Sequence, residues 1–182
     1  SHPVPIELWT FSGLEEVLDE EMEKAGFSDR TMDGRIIRLE SAEPKSLFSL
    51  RCFSECLFPV GEIRGTQWSQ APEKIAELVK QKDLMAQIAS CHEGQAAGVS
   101  YRLEVRGKNL RHALRKEIIA ETARRLSSDY PHWINSPSHY DIEFRIMLET
   151  DRIRLYWKAF TIEDERFSYR VADVPASIHP VV

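Results

Sequence analysis

Residues 99–116 read Val-Ser-Tyr-Arg-Leu-Glu-Val-Arg-Gly-Lys-Asn-Leu-Arg-His-Ala-Leu-Arg-Lys, and this stretch decides the fold of the second half of the chain. Apolar residues alternate along its first part, which predicts a half-buried strand. Gly107-Lys108-Asn109 predicts a turn, and Asn109 is a plausible N-cap for a long helix over Leu110–Leu126. A strand, a turn and a helix in succession indicate a mixed α and β unit.

Basic side chains are concentrated in the same stretch. Residues 102–125 hold eight Lys or Arg against three Glu, within a chain of net charge −5. A local excess of positive charge in an acidic protein predicts an anionic partner, because guanidinium groups and helix N-termini both suit phosphate oxygens. The alternative is a solvated helix face on which Glu117 and Glu121 neutralise the cations. The candidate RNA-binding residues are Arg106, Lys108, Asn109, Arg111, His112, Arg115 and Lys116.

Downstream, residues 142–157 predict a β-hairpin. Ile142, Phe144, Ile146 and Leu148 alternate with polar residues, Glu149-Thr150-Asp151 forms the turn, and a second alternating strand returns. The other face of the hairpin is expected to be exposed, and cross-strand ion pairs are favoured there over a ligand site. Its basic and aromatic residues are Arg145, Arg152, Arg154, Tyr156 and Lys158. Trp133, in the preceding loop, either stacks on nucleobases or, as we favour, covers the edge of the core.

Upstream of the strand in residues 99–116, the sequence predicts two further helices. Pro72 suits the first turn of a helix over Glu73–Gln81, and Asp83 is a candidate cap for a further helix to Ser90. The sequence therefore predicts a second unit that covers residues 66–165.

Residues 1–65 predict a separate, small unit of ferredoxin-like type, with strands and helices alternating from Ile6 to Ile63. Ser12 and Glu15 fit a capping box at the start of its first helix, and Gly26 fits the helix end. This unit carries 7 Lys or Arg against 13 Asp or Glu, whereas residues 66–130 carry 11 against 8. The overall expectation is an α+β fold.

Motifs of catalysis and of metal binding are absent from the sequence. There is no glycine-rich phosphate loop or nucleophile elbow, and Cys52, Cys56 and the Cys91-His92 pair do not have the spacing of a zinc site. The three cysteines favour a reducing cytoplasm. No apolar run has membrane-spanning length, and the N-terminus lacks a signal-peptide pattern. We therefore expect no catalytic residue, no metal and no membrane partner in this chain.

The segment from Phe167 to Val182 contains Pro175, Pro180 and two terminal valines, and it lacks the polar end typical of a domain terminus. Residues 166–182 are expected to be a linker into a further domain.

Three motifs together resemble the N-terminal half of a THUMP-domain RNA methyltransferase. Phe11-Ser-Gly-Leu-Glu-Glu-Val-Leu resembles the opening of the ferredoxin-like domain that precedes THUMP in this family. Tyr101-Arg-Leu-Glu-Val-Arg-Gly-Lys, followed by a basic helix and a hairpin, resembles THUMP itself. Tyr169-Arg170 through Pro180 resembles the linker to the methyltransferase domain. At Ser138 the chain departs from the acidic residue that relatives carry before the hairpin.

The resemblance implies a recognition module for structured RNA, such as tRNA or rRNA. It places S-adenosylmethionine and base methylation in a domain beyond these residues. Three alternatives remain open at this point. The first is the THUMP module of a tRNA sulfurtransferase or of a stand-alone adaptor. The second is a protein-interaction domain that docks a basic partner through the acidic residues between Glu15 and Glu23. The third is an enzyme that uses Cys91 and His92.

Overall fold

The computed structural model describes residues 3–82, 84, 88 and 99–159. These residues form two compact units, one up to Phe58 and the other from Pro59 onward, and the division falls inside a strand. The predicted domain limits at residues 65 and 165 remain predictions. The predicted helix from Asp83 to Ser90, the pair Cys91-His92 and the linker at residues 166–182 lie partly or wholly outside the described residues.

The first unit contains one α-helix, one 3-10 helix and four strands. The elements are β1 (Val4–Trp9), α1 (Glu15–Lys24), β2 (Arg30–Asp33), β3 (Ile36–Ser41), the 3-10 helix η1 (Pro44–Ser49) and β4 (Glu55–Arg64). The strand order is β2-β3-β1-β4, and every neighbouring pair is antiparallel. This order, with a helix between β1 and β2, is the ferredoxin-like arrangement, and the predicted α+β class is confirmed.

Apolar periodicity explains which side chains of the first unit are buried. Leu18 and Met22 lie one turn apart on α1 and are fully buried, as are Ile6 and Leu8 of β1. The helix ends at Gly26, whose φ of +89° is accessible to glycine at little cost. The N–H of Gly26 donates to the carbonyl of Glu23, which confirms the predicted helix end.

Three details of the first unit correct the expectations from sequence. The helix cap is Leu14, without a side-chain hydrogen bond, so the capping box on Ser12 is wrong. Glu15 does reach back, but it accepts the N–H of Gly13 at 2.8 Å. Strand β2 was not predicted, although the Asp33-Gly34 dipeptide before β3 is a hairpin signal. The second helix of this unit is a 3-10 helix only.

Within its described residues, the second unit contains two α-helices and five strands, and the first of these strands is the end of β4. After β4 come the 3-10 helix η2 (Trp68–Gln70), α2 (Ala71–Gln81), β5 (Ser100–Gly107), α3 (His112–Asp129), β6 (Ile134–Asn135), β7 (Ile142–Leu148) and β8 (Arg152–Ala159). Along the sheet the order is β4-β8-β7-β5-β6. Helix α3 packs on β5, and α2 packs on α3.

Strands β5 and β7 are parallel neighbours joined through α3, and β7 returns into β8 as the predicted hairpin. The register pairs Tyr101 with Ile142 and Gly107 with Leu148, so the two strands end at the same edge of the unit. The alternating residues Phe144, Ile146 and Leu155 are fully buried, as the period of two predicts. The predicted hairpin is confirmed.

None of the helices among the described residues is both long enough and apolar enough to cross a membrane.

Candidate nucleic-acid interface

The turn between β5 and α3 is held in place by the end of β7. A Cβ atom at Gly107 would lie 3.2 Å from both the Cβ and the backbone oxygen of Leu148, so the close approach of the two strand ends favours glycine, and a larger residue would displace Leu148 slightly. The N–H of Leu110 donates to the carbonyl of Gly107 at 3.3 Å and closes the turn. The side chains that follow Gly107 are thereby presented at the edge where β5 and β7 end.

Asn109 lies within this turn and does not cap the helix. Its φ of 60° is left-handed, a conformation that asparagine adopts more readily than most residues. The N-cap is Arg111, with an extended backbone and no side-chain hydrogen bond, and α3 begins at His112. The predicted helix start at Leu110 is therefore two residues early, because the turn continues beyond Asn109.

The structure places the seven candidate residues on three consecutive elements: Arg106 on β5, Lys108 and Asn109 in the turn, and Arg111, His112, Arg115 and Lys116 at the N-cap and in the first turns of α3. Arg115 is half-buried, and its Nε atom is buried without a hydrogen-bond partner among the described residues. The exposed members are Arg106, Lys108, Asn109, Arg111, His112 and Lys116. Their contact with RNA remains a prediction at this point.

Most of the candidate cations have no acidic partner. Arg106 lies 3.8 Å from a carboxylate oxygen of Glu104, at the long end of the ion-pair range. Within the described part of the chain, Lys108, Arg111 and Lys116 make no ion pair, and no acidic residue stands in the first turn of α3. Cations near a helix N-terminus are disfavoured by the helix dipole, so this charge is held at a cost in stability.

The remaining cations of residues 102–125 are neutralised. Glu121 accepts hydrogen bonds from Arg124 at 2.9 and 2.6 Å and from Arg125 at 3.0 Å. Arg102 donates to the buried carboxylate of Glu143 at 2.8 and 2.6 Å. Glu121 is thus engaged with arginines outside the candidate set, and it does not neutralise that set as the solvated-face alternative requires.

Helices α2 and α3 run in the same direction in the second unit. Ser69 and Pro72, at the start of α2, line a cavity with Leu114 and Ile118 in the first half of α3. At the opposite end, Lys80 forms an ion pair with Asp129 at 3.1 Å. The start of α2 therefore lies along the middle of α3, whereas the N-terminus of α3 lies within the stretch of unpaired cations, where its N–H groups and dipole add to the attraction for an anion.

The second face of the β7–β8 hairpin does not present the predicted row of exposed cations. Arg145 is only 2% exposed and Glu143 is completely buried, and the two form an ion pair at 2.7 Å. Tyr156 is also buried, whereas Arg152 and Arg154 pair with Glu149 at 3.1 and 2.6 Å. The expectation of an exposed face is wrong, but the preference for ion pairing over a ligand site is confirmed.

Trp133 covers the edge of the core, as favoured from the sequence. It is 4% exposed, and its ring lies 5.8 Å from that of Phe144 and 4.6 Å from that of Tyr130, measured between centroids. A ring enclosed in this way has no free face on which a nucleobase could stack.

Several carboxylates of the acidic helix α1 form ion pairs or hydrogen bonds inside the first unit. Arg30 pairs with Asp19 and Glu23, each at 2.7 Å, and this pairing lowers the pKa of Asp19. Glu21 accepts the backbone N–H groups of Arg51 and Cys52 at 2.9 to 3.0 Å. These carboxylates stabilise the local fold, and they are not a free surface for a basic partner.

No metal site is present among the described residues, because no three His, Cys, Asp or Glu side chains converge there. Cys56 is buried, and burial together with the charge of Glu21 raises the pKa of Cys52, which makes that thiol less nucleophilic.

Solved structures show the same fold at low sequence identity. TrmN from Thermus thermophilus matches 99% of this chain at 16% identity, with a TM-score of 0.67. A predicted N6-adenine-specific DNA methylase from Listeria monocytogenes matches 98% at 15% identity, with a TM-score of 0.64. A 4-thiouridine synthetase, solved in complex with RNA and ATP, matches 87% at 8% identity, with a TM-score of 0.54.

The chain covers 52%, 46% and 42% of those three proteins, which is about half of their length. No protein-family model and no curated protein matches the sequence. Identities this low establish a shared fold and not a shared activity. The chain therefore has a fold that occurs in methylases and in a thiouridine synthetase.

Proposed function

We propose that this chain is the RNA-recognition part of an RNA-modifying enzyme, and that it binds structured RNA such as tRNA or rRNA. The observation that carries the proposal is the group of cations without acidic partners among the described residues, Lys108, Arg111 and Lys116, around the N-terminus of α3. Phosphate oxygens satisfy this arrangement because they pair with the cations and also accept from helix N–H groups.

A role in base methylation is favoured over a role in sulfur transfer. The methylase from Listeria monocytogenes matches 98% of the chain with a TM-score of 0.64, whereas the thiouridine synthetase matches 87% with 0.54. Methylation would draw its methyl group from S-adenosylmethionine, bound outside these residues. We place the enzyme in the cytoplasm, in line with the cysteine content. The RNA bound to the synthetase supports the shared recognition step in either case.

Charge reversal at the candidate cations tests the proposal. Arg111→Glu/Lys116→Glu is the suitable variant because both side chains are exposed, and acidic residues in the first turns of a helix suit its dipole. We expect the variant to bind bulk tRNA more weakly. The slope of the logarithm of the association constant against the logarithm of the salt concentration should also become shallower, by about one unit per lost phosphate contact. Fluorescence anisotropy across a salt series measures both quantities.

The matched control is Lys24→Glu/Arg35→Glu, which makes the same charge change at exposed sites of the first unit. A purely global charge effect would weaken binding equally in both variants and would contradict the assignment. Wild-type protein that shows no affinity for tRNA at low salt would contradict the function itself.

A further inference from the structure

A groove lies between the start of α2 and the first half of α3, and it belongs to the second unit alone. It encloses about 380 Å³, within the range of pockets that hold small ligands. We name it the α2–α3 groove. Its lining residues are Ser69, Pro72, Leu114, Glu117, Ile118, Ala120, Glu121 and Arg124.

The lining of the groove combines an apolar wall with a free carboxylate. Pro72 and Ile118 are buried at the base of the groove, and Leu114 is half-buried, so part of its apolar side chain is available for contact. Glu117 is exposed and makes no ion pair or hydrogen bond within the described ranges, whereas Glu121 is engaged by Arg124 and Arg125. The carboxylate of Glu117 is therefore available to accept hydrogen bonds from a ligand in the groove.

The groove and the candidate cations lie next to each other on α3. Leu114 follows Arg111 by three positions, and Ala120 follows Lys116 by four, so lining residues of the groove lie beside these two cations on the surface of α3. A phosphate held by the cations would thus place its own nucleotide beside a groove in which the free carboxylate of Glu117 accepts hydrogen bonds.

We propose that the α2–α3 groove receives one unstacked nucleobase of the bound RNA, with the amino edge of the base donating to the carboxylate of Glu117. This inference rests on the proposed RNA binding and adds base selectivity to it. A carboxylate accepts a hydrogen bond from N4 of cytosine, whereas uracil presents the O4 acceptor at the same position. Only an unpaired base exposes this edge and can leave the helical stack.

The test compares three RNA hairpins that differ at one position: a bulged cytidine, a bulged uridine, or no bulge. Wild-type protein is expected to bind the cytidine bulge about tenfold more tightly than the uridine bulge, since a hydrogen bond to a charged group contributes about 1.5 kcal/mol or more. Glu117→Gln is expected to remove this preference, because an amide both donates and accepts. Binding of the hairpin without a bulge should not change.

A second variant blocks the groove without touching its carboxylate. Ala120→Phe places a ring in the groove from an exposed position of α3. We expect this variant to bind both bulged hairpins no more tightly than the hairpin without a bulge. The controls are Glu16→Gln and Ala42→Phe, which make the same changes at exposed positions of the first unit.

The outcomes separate the two proposals. Equal affinity for both bulges in wild-type protein, or a preference that survives Glu117→Gln, overturns the groove assignment and leaves RNA binding intact. If none of the three hairpins binds at low salt, RNA recognition and the groove assignment both fall.

Discussion

At the scale of single residues, Glu121 determines which arginines of α3 remain available for a ligand. Hydrogen bonds from Arg124, followed by the charges of Arg124 and Arg125, lower the pKa of Glu121 from 4.5 to about 2. Arg124 and Arg125 are therefore engaged in ion pairs, whereas Arg111 and Lys116 near the start of the helix form none among the described residues. A charge count along the sequence treats all of these cations alike, and only side-chain geometry distinguishes them.

The lowered pKa of Glu121 predicts a pH dependence. Its folded pKa lies below its ordinary value, so the carboxylate contributes stability above about pH 4.5, and the contribution is lost as the pH falls toward 2. Carbon-detected NMR titration of Glu121 should give a midpoint near 2 in the wild-type protein. Arg124→Gln/Arg125→Gln should move the midpoint up toward 4.5, whereas Lys24→Gln should leave it unchanged. An ordinary midpoint in the wild-type protein would show that the ion pairs do not form in solution.

At the scale of elements, the loop between α3 and β7 is fixed by aromatic packing. Trp133 contacts Tyr130 at the end of α3, Tyr101 on β5 and Phe144 on β7. One side chain therefore links a helix to two parallel strands, and that linkage determines where α3 lies on the sheet. The position of α3 in turn determines where the unpaired cations are presented.

Removal of the Trp133 ring is expected to destabilise the protein without a direct effect on RNA. Trp133→Ala leaves a cavity in a packed region and should lower the free energy of unfolding by about 3–5 kcal/mol, while Trp133→Phe should lower it by less. Urea denaturation gives the stability, and anisotropy at a temperature where the variant is folded gives the affinity for tRNA. A large loss of affinity at unchanged stability would instead indicate that the ring stacks on a nucleobase.

At the scale of the whole molecule, an acidic protein presents a local cationic surface. The net charge is −5, yet residues 66–130 carry more basic than acidic residues. Long-range repulsion of RNA is screened at physiological salt, where the Debye length is about 8 Å, and close contacts with the cations then dominate. Three acidic residues of α1, Asp19, Glu21 and Glu23, stabilise the first unit through Arg30, Arg51 and Cys52.

The proposed division between RNA recognition in this chain and catalysis outside these residues predicts a negative result with the methyl donor. S-adenosylmethionine at millimolar concentration should leave the Tm of this chain unchanged, because a ligand that binds only the folded state raises the Tm and none is expected to bind here. Differential scanning fluorimetry measures the shift, and tRNA serves as the positive control. A concentration-dependent rise with S-adenosylmethionine would place a cofactor site in these residues.

Much of the fold could be predicted from short-range patterns. The β7–β8 hairpin, the start of α2 near Pro72 and the end of α1 at Gly26 follow from alternation, from proline geometry and from glycine conformation. Strand β2 could not be predicted from apolar alternation, because its four residues are mostly exposed.

The sequence by itself determined the α+β class and the cluster of basic residues between Arg106 and Lys116, because backbone preferences and charge are local properties. Tertiary structure decided which charges remain free. It buried Arg145 with Glu143, engaged Glu121 with two arginines, and placed the start of α2 against α3, where the two helices line a groove. Burial and ion pairing depend on residues far apart in the chain, and no local pattern records those distances.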